Sequence, residues 1–193
     1  MNECPYQSPI SLCQKHSLNL HDDVVHKICG RNCGSTYDEE HKIYIVNDDI
    51  FLKFDNCKYK LYEYHFHLHG EHKIDGKIYP GEIHYVFFKV NSKNKISSII
   101  DICGSSNTNM PEDILAIGYG LKNKYNEINL SKMKIYTPKT YYLYDGSLTT
   151  PDYGPVKWVV SDCPLRINIE QLKNVSKSAR SLQNKNNRII LFH

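Results

Sequence analysis

The stretch "YEYHFHLHGEH", residues 62–72, carries four histidines, His65, His67, His69 and His72, within eight positions. It sits in a longer run, "YKLYEYHFHLH" (59–69), whose long apolar and polar residues alternate as they do on a strand. Residues two apart on a strand share a face. His65 and His67 therefore project together, with Cα atoms about 6.6 Å apart at about 3.3 Å per residue. Two imidazoles at that spacing can meet one zinc ion at about 2.0–2.1 Å each. Alternation puts His69 on the same face, but about 13 Å of strand separates it from His65, near the limit for two rings sharing an ion. A neighbouring strand closes such a site better.

That neighbour is "EIHYVFFKV" (82–90). Asp75-Gly76, between the two runs, is a hairpin turn signal. The strands are then antiparallel and His84 supplies the third ligand. Three neutral histidines leave a fourth position open to water, which is a catalytic arrangement. Glu63, Glu71 and Glu82 stand close enough in sequence to orient the rings from behind.

The rest of the chain sets bounds. Its 193 residues are 40% hydrophobic and 23% charged, which suits a single domain over residues 1–193 with a sizeable core. No run approaches the ~18 apolar residues of a spanning helix, so no membrane span is expected. A formal net charge of +3 is too mild to imply a nucleic-acid partner. The start, "MNECPYQSPI", has neither a basic nor an apolar signal segment, so an intracellular protein is expected. Seven cysteines cannot all pair within one chain. Cys29 and Cys33 in "CGRNC" lack two further close ligands, and reduced thiols are the better reading.

Most other segments read as strands: "KIYIV" (42–46), "IFLKF" (50–54) and "ISSIIDI" (96–102). "PEDILAIGYGLK" (111–122), with Pro at its start, acids in its first turn and a terminal Lys, predicts a short helix. "RINIEQLKNVSKSA" predicts a second. The fold class expected is mainly β (α+β), with a large twisted, mostly antiparallel sheet and short peripheral helices.

The separated motifs resemble those of the alpha-class carbonic anhydrases. "HFHLHGEHKIDGKIYPGEIHYV" is similar to that family's zinc signature, and "YYLYDGSLTTPDYGPVKW" to its later G-S-L-T-T-P and Trp segment. "QSPI" (7–10), "NIEQL" and "RSLQNKNNR" resemble its terminal motifs, so the likeness runs from about residue 7 to residue 190. It implies the fold just described and a zinc enzyme that reversibly hydrates carbon dioxide to bicarbonate and a proton. In this family the pKa of the zinc-bound water falls to about 7, giving a hydroxide nucleophile. The resemblance implies His65, His67 and His84 as zinc ligands. Thr149 would pass its proton to Glu71 and orient the nucleophile. Glu82 would hold His84, and Glu63 would hold His65, where the family more often has Gln. His72 would be a buried structural partner near Glu71, and His69 falls outside the motif. Val86, Ile96, Leu148, Val156 and Trp158 would wall the apolar carbon dioxide pocket, with Thr150 on its polar side. Sulfonamides and small anions are the inhibitors implied.

The chain departs from the family in two ways. The shuttle histidine of its fast members is replaced by Asp49 (Asp48 if the alignment slips by one), and an ordinary carboxyl near 3.9 relays protons poorly at pH 7. A slower, buffer-dependent enzyme follows, unless His16, His21 or His41 relays instead. The chain is also short for the family, and "TTPDYGP" lacks the cysteine that pairs with an N-terminal one in its secreted members, which fits a reducing compartment; a short, intracellular or virus-encoded member is expected. The alternative is a carbonic-anhydrase-like binding protein, with Lys173, Lys177, Arg180, Lys185 and Arg188 as an anionic-glycan patch.

Overall fold

A computed structural model describes residues 6–96, 113–151 and 153–193. Cys4, Cys103, Asp152 and most of the 96–102 strand expectation lie outside those residues. One 11-stranded sheet dominates. Its main path runs β2 (Leu18–Asn19), β14 (Leu191–Phe192), β11 (Tyr141–Ser147), β12 (Pro155–Ile167), β10 (Ile114–Asn123), β9 (Gly81–Lys89), β6 (Cys57–Leu68), β4 (Ile43–Val46) and β3 (Ser35–Asp38). β5 (Phe51–Phe54) and β13 (Ser176–Ser178) also pair with β6. β1 (Ser11–Leu12), β7 (Lys73–Ile74) and β8 (Lys77–Ile78) form a small second sheet. The β10–β12, β13–β6 and β14–β2 pairings are parallel, and the rest of the large sheet is antiparallel.

The expected hairpin is present. β7 and β8 meet across Asp75-Gly76, whose φ values of 45° and 80° are those of a type I′ turn. The predicted helix over 111–122 is not. Residues 114–123 are β10, in mid-sheet between β9 and β12, and Ile114 to Leu121 are buried on both faces. A strand covered on both faces reads as a continuous apolar run, which its capping-like flanks disguised as a helix. Gly120 confirms the constraint, since a Cβ there would lie 2.2 Å from the Tyr79 ring. Among the described residues the only helical segments are three short 3-10 turns, one of them, Ile169–Leu172, in the second predicted helix.

The sheet separates two apolar layers. Tyr64, Phe66, Ile83, Tyr85, Leu115, Ile117 and Val159 belong to the larger, and Val86, Phe88, Ala116, Trp158 and Val160 to the smaller. One irregularity decides which layer the histidines meet. Leu61 pairs with Phe87, yet Glu63 pairs with Val86, so Tyr62 is an extra residue in β6. Before this bulge the odd residues Tyr59 and Leu61 enter the larger core; after it the even residues Tyr64 and Phe66 do. The parity switch turns Glu63, His65 and His67 to the opposite face, where His65 lies directly across from His84. Deleting Tyr62 is expected to leave a regular ladder in which Leu61 is followed directly by Glu63, so Glu63, His65 and His67 keep their face. The deletion variant should therefore retain cooperative thermal unfolding and histidine-dependent zinc binding, measured by calorimetry and metal analysis; loss of both would refute the bulge reading.

Candidate metal centre

His65 and His67 come from β6 and His84 from β9. All three are buried, and one nitrogen from each falls within 4.8 Å of the others. The rear nitrogens are occupied. His65 Nδ1 lies 3.0 Å from both Glu63 oxygens, His67 Nδ1 lies 3.2 Å from the Ser178 carbonyl, and His84 Nε2 lies 2.8 Å from Glu82 Oε1. Each rear N–H donates to that acceptor, which fixes the tautomer and aims the other nitrogen into the cleft. Nε2 of His65 and of His67 are buried with no hydrogen-bond partner. Orphaned buried acceptors are costly, and a cation between them satisfies both. These residues therefore fit a zinc ion, with His65 Nε2, His67 Nε2 and His84 Nδ1 as the donors.

Burial holds His65 and His67 well below the ordinary histidine range, which keeps them neutral as ligands must be. Burial also acts on His84, but the Glu82 hydrogen bond and the fields of Glu82, Glu71 and Glu63 outweigh it and raise its pKa. Glu82 is desolvated too, yet His72 and His84 hold it well below the carboxylate range. Burial pushes Glu63 up to about 7 against the opposing fields of Lys177 and His84.

A second group, His72, Glu82 and His84, also brings ligand atoms together. It is a hydrogen-bond network instead. Glu82 Oε1 is 2.5 Å from His72 Nδ1 as well as 2.8 Å from His84 Nε2, and Oε2 accepts the N–H groups of Glu71 and His72 at 2.8 Å each. The partner of His72 is thus Glu82 more than Glu71, with Tyr144 OH 2.6 Å from its Nε2.

A pocket opens beside the rings, lined by His65, His84, Val86, Ala116, Leu148, Thr149, Thr150 and Trp158. Five of the residues expected from the motifs are there: Val86, Leu148, Thr149, Thr150 and Trp158. Val156 is fully buried behind the wall, and Ile96 packs at the margin of the same apolar layer. Ala116 is the pocket residue that the helix reading concealed; it lies in register between Val86 and Trp158. Glu71 Oε1 accepts the Arg180 N–H at 2.7 Å, while Oε2 is buried without a partner, so no Thr149 hydrogen bond reaches it. His69 falls after the end of β6, is exposed and has φ 62°, so the alternation that put it beside His67 stops short of it. Asp49 is exposed and ion-paired with Lys60 at 2.7 Å, and Asp48 accepts the Cys33 N–H at 2.7 Å. The described cysteines are all free thiols. The proposed basic patch is largely spent on the fold: Arg180 and Arg188 donate to backbone carbonyls, and Lys177 is half-buried. No helix among the described residues is long and apolar enough to cross a membrane.

Comparison with known proteins agrees with this geometry. Residues 105–191 match the family profile of eukaryotic-type carbonic anhydrase. That stretch holds Thr149 and Trp158, whereas the three histidines precede it. A carbonic anhydrase of Pectobacterium carotovorum is 27% identical over 96% of this chain and 79% of its own length. One of Nostoc sp. is 28% identical over 73% of this chain, which spans only 56% of that relative. The alpha-carbonic anhydrase of Thermovibrio ammonificans, solved with the inhibitor sulfanilamide, superposes with a TM-score of 0.70 at 20% identity, covering 96% of this chain and 86% of that one. Profile, relatives and fold all liken the chain to the alpha-class carbonic anhydrases.

Glu63 gives the site a pH signature. Its carboxyl rises from 4.5 in the unfolded chain to about 7 in the fold, so burial favours the protonated form. The metal-free protein should lose stability as pH climbs from about 4.5 to 7 and then level off. A rise of that size corresponds to roughly 3 kcal/mol. Metal-free E63Q, which cannot ionise, is expected to be more stable than wild type at pH 8 by up to about that amount and similar at pH 4.5. Urea titrations of chelator-treated protein at the two pH values check this; equal gaps would refute it.

Proposed function

We propose that this chain is a zinc-dependent carbonic anhydrase that reversibly hydrates carbon dioxide to bicarbonate and a proton. The observation that carries the reading is the pair of buried, unpartnered imidazole nitrogens facing His84 beside an apolar pocket. When bound, zinc would acidify a water to supply the nucleophile near neutral pH, as is known for carbonic anhydrase. The protein's own residues do the rest. Val86, Ala116, Leu148 and Trp158 offer a small apolar substrate a place against His65 and His84. Thr149, at the pocket lip, orients the attacking group through its hydroxyl once that hydroxyl turns to the free oxygen of Glu71. Glu63, Glu82 and the Ser178 carbonyl hold the ligand rings in place. The sulfanilamide complex of the Thermovibrio relative supports sulfonamide inhibition here.

The proton exit is the weak step in this reading. Asp49, in the place where the fast members of the resembled family carry a histidine, is paired with Lys60 at the surface and supplies no imidazole. Turnover should therefore be slow in dilute buffer and rise with added imidazole.

Stopped-flow hydration of carbon dioxide tests the whole. Zinc-loaded wild type is expected to show sulfonamide-inhibitable activity, H84A to lose both zinc and activity, and T149A to keep zinc while losing on the order of 10²-fold in kcat/KM. Absence of inhibitable activity in zinc-loaded wild type would sink the proposal. Turnover indifferent to imidazole would remove the claim about proton exit.

A further inference from the structure

Thr149 lies beyond the end of β11, so no strand ladder fixes it. Its turn is held by other means. Leu148 N–H donates to the Gly154 carbonyl at 2.8 Å, and Tyr153 N–H donates to the Thr150 carbonyl at 3.1 Å. Tyr153 adopts φ 40°, a left-handed conformation that a non-glycine residue keeps only where its surroundings impose it. The ring of Tyr153 lies against Arg180, whose guanidinium is 3.9 Å from its centre. The same guanidinium donates through Nη1 to the Ser8 carbonyl at 2.7 Å. Its backbone N–H donates to Glu71 Oε1 at 2.7 Å. One residue thus grips the orienting acid with its main chain and the threonine turn with its side chain.

We infer that the Arg180–Tyr153 stack is a positioning device that sets Thr149 against the unpartnered oxygen of Glu71. Neither residue lines the pocket, so both act on the reaction through others. The ring is the essential part of Tyr153, because the contact is between a cation and an aromatic face. The tether to Ser8 limits where the guanidinium can go, so loss of the ring leaves Arg180 in place and frees the turn alone. A displacement of about 1 Å at a group that orients the reactants is enough to slow the reaction severely. The stack is the part of this arrangement that the motif-based reading did not contain, since it treated Arg180 as surface charge.

The inference rests on the hydration chemistry proposed above, and its test separates the two. Y153F, Y153A, R180M and the double variant Y153A/R180M are compared with wild type for carbon dioxide hydration, and for zinc retention against a competing chelator. Y153F should stay within about twofold of wild type. Y153A and R180M should each lose about three- to thirtyfold in kcat/KM, within the range of about two- to thirtyfold that a single cation–π contact spans. The double variant should be no worse than the poorer single one. Zinc retention should be unchanged throughout, because the ligands stand on β6 and β9, whereas general loosening would lower it together with activity. Y153A matching wild type, Y153F failing as badly as Y153A, zinc retention falling with activity, or losses that multiply would each overturn the clamp. If R180M does not fold, Y153A against Y153F decides the matter. An inactive zinc-loaded wild type would instead overturn the proposed function.

Discussion

A buried carboxylate must find partners or give up its charge, and Glu82 sits at 1% exposure in mid-sheet. It finds four. Two of them, the N–H groups of Glu71 and His72, tie the turn after β6 to β9. The other two, His72 and His84, are rings that each keep a second nitrogen for another task. His84 is thereby presented to the cleft through Nδ1. His72 passes the constraint onward to Tyr144, which contacts Ser8 at 3.1 Å, and Ser8 and Ser147 bond each other's backbone N–H groups. Ser147 ends β11 and Leu148 and Thr149 follow it. One charge therefore sets a metal ligand on one side and the entry to the threonine turn on the other. Removing a partner from such a group leaves an uncompensated buried charge, at a cost of about 3–5 kcal/mol.

Much of this was legible in the chain itself. The His-x-His spacing, the Asp-Gly turn and His84 opposite His65 are local patterns, and period-2 geometry translates them directly into positions. The bulge was not legible. Tyr62 looks like any other residue of an alternating strand, and only the pairing with β9 shows that it is the extra one. Alternation seemed to include His69 for the same reason: a period has no built-in end, and the strand stops at Leu68.

The helix that became β10 has a different cause. Proline, acids and a terminal lysine are genuine helix signals, and they bracket a run with no two-residue period because both of its faces are covered. Burial on both faces is a property of the neighbours, so it cannot be read from the run. The error propagated into the site. With residues 111–122 taken as a peripheral helix, Ala116 had no reason to be in the pocket, although Val86 and Trp158, which line it on either side, were expected there. Arg180 was missed in the same manner. A cation near a chain terminus reads as surface charge until its partners, 109 and 172 residues away, are known.

The charges around the cleft explain why so many constraints converge there. Three carboxylates, Glu63, Glu71 and Glu82, stand behind three histidines of which two are held neutral, and Lys177 is the cation whose field reaches Glu63. Glu82 is met by four hydrogen bonds, but among the described residues Glu63 has the His65 N–H alone, and burial raises its pKa. If His65, His67 and His84 hold a dication as proposed, the His65 N–H would become a stronger donor and Glu63 would gain the positive neighbour it lacks. Glu63 would then be the residue through which binding of the ion and stability of the sheet are linked.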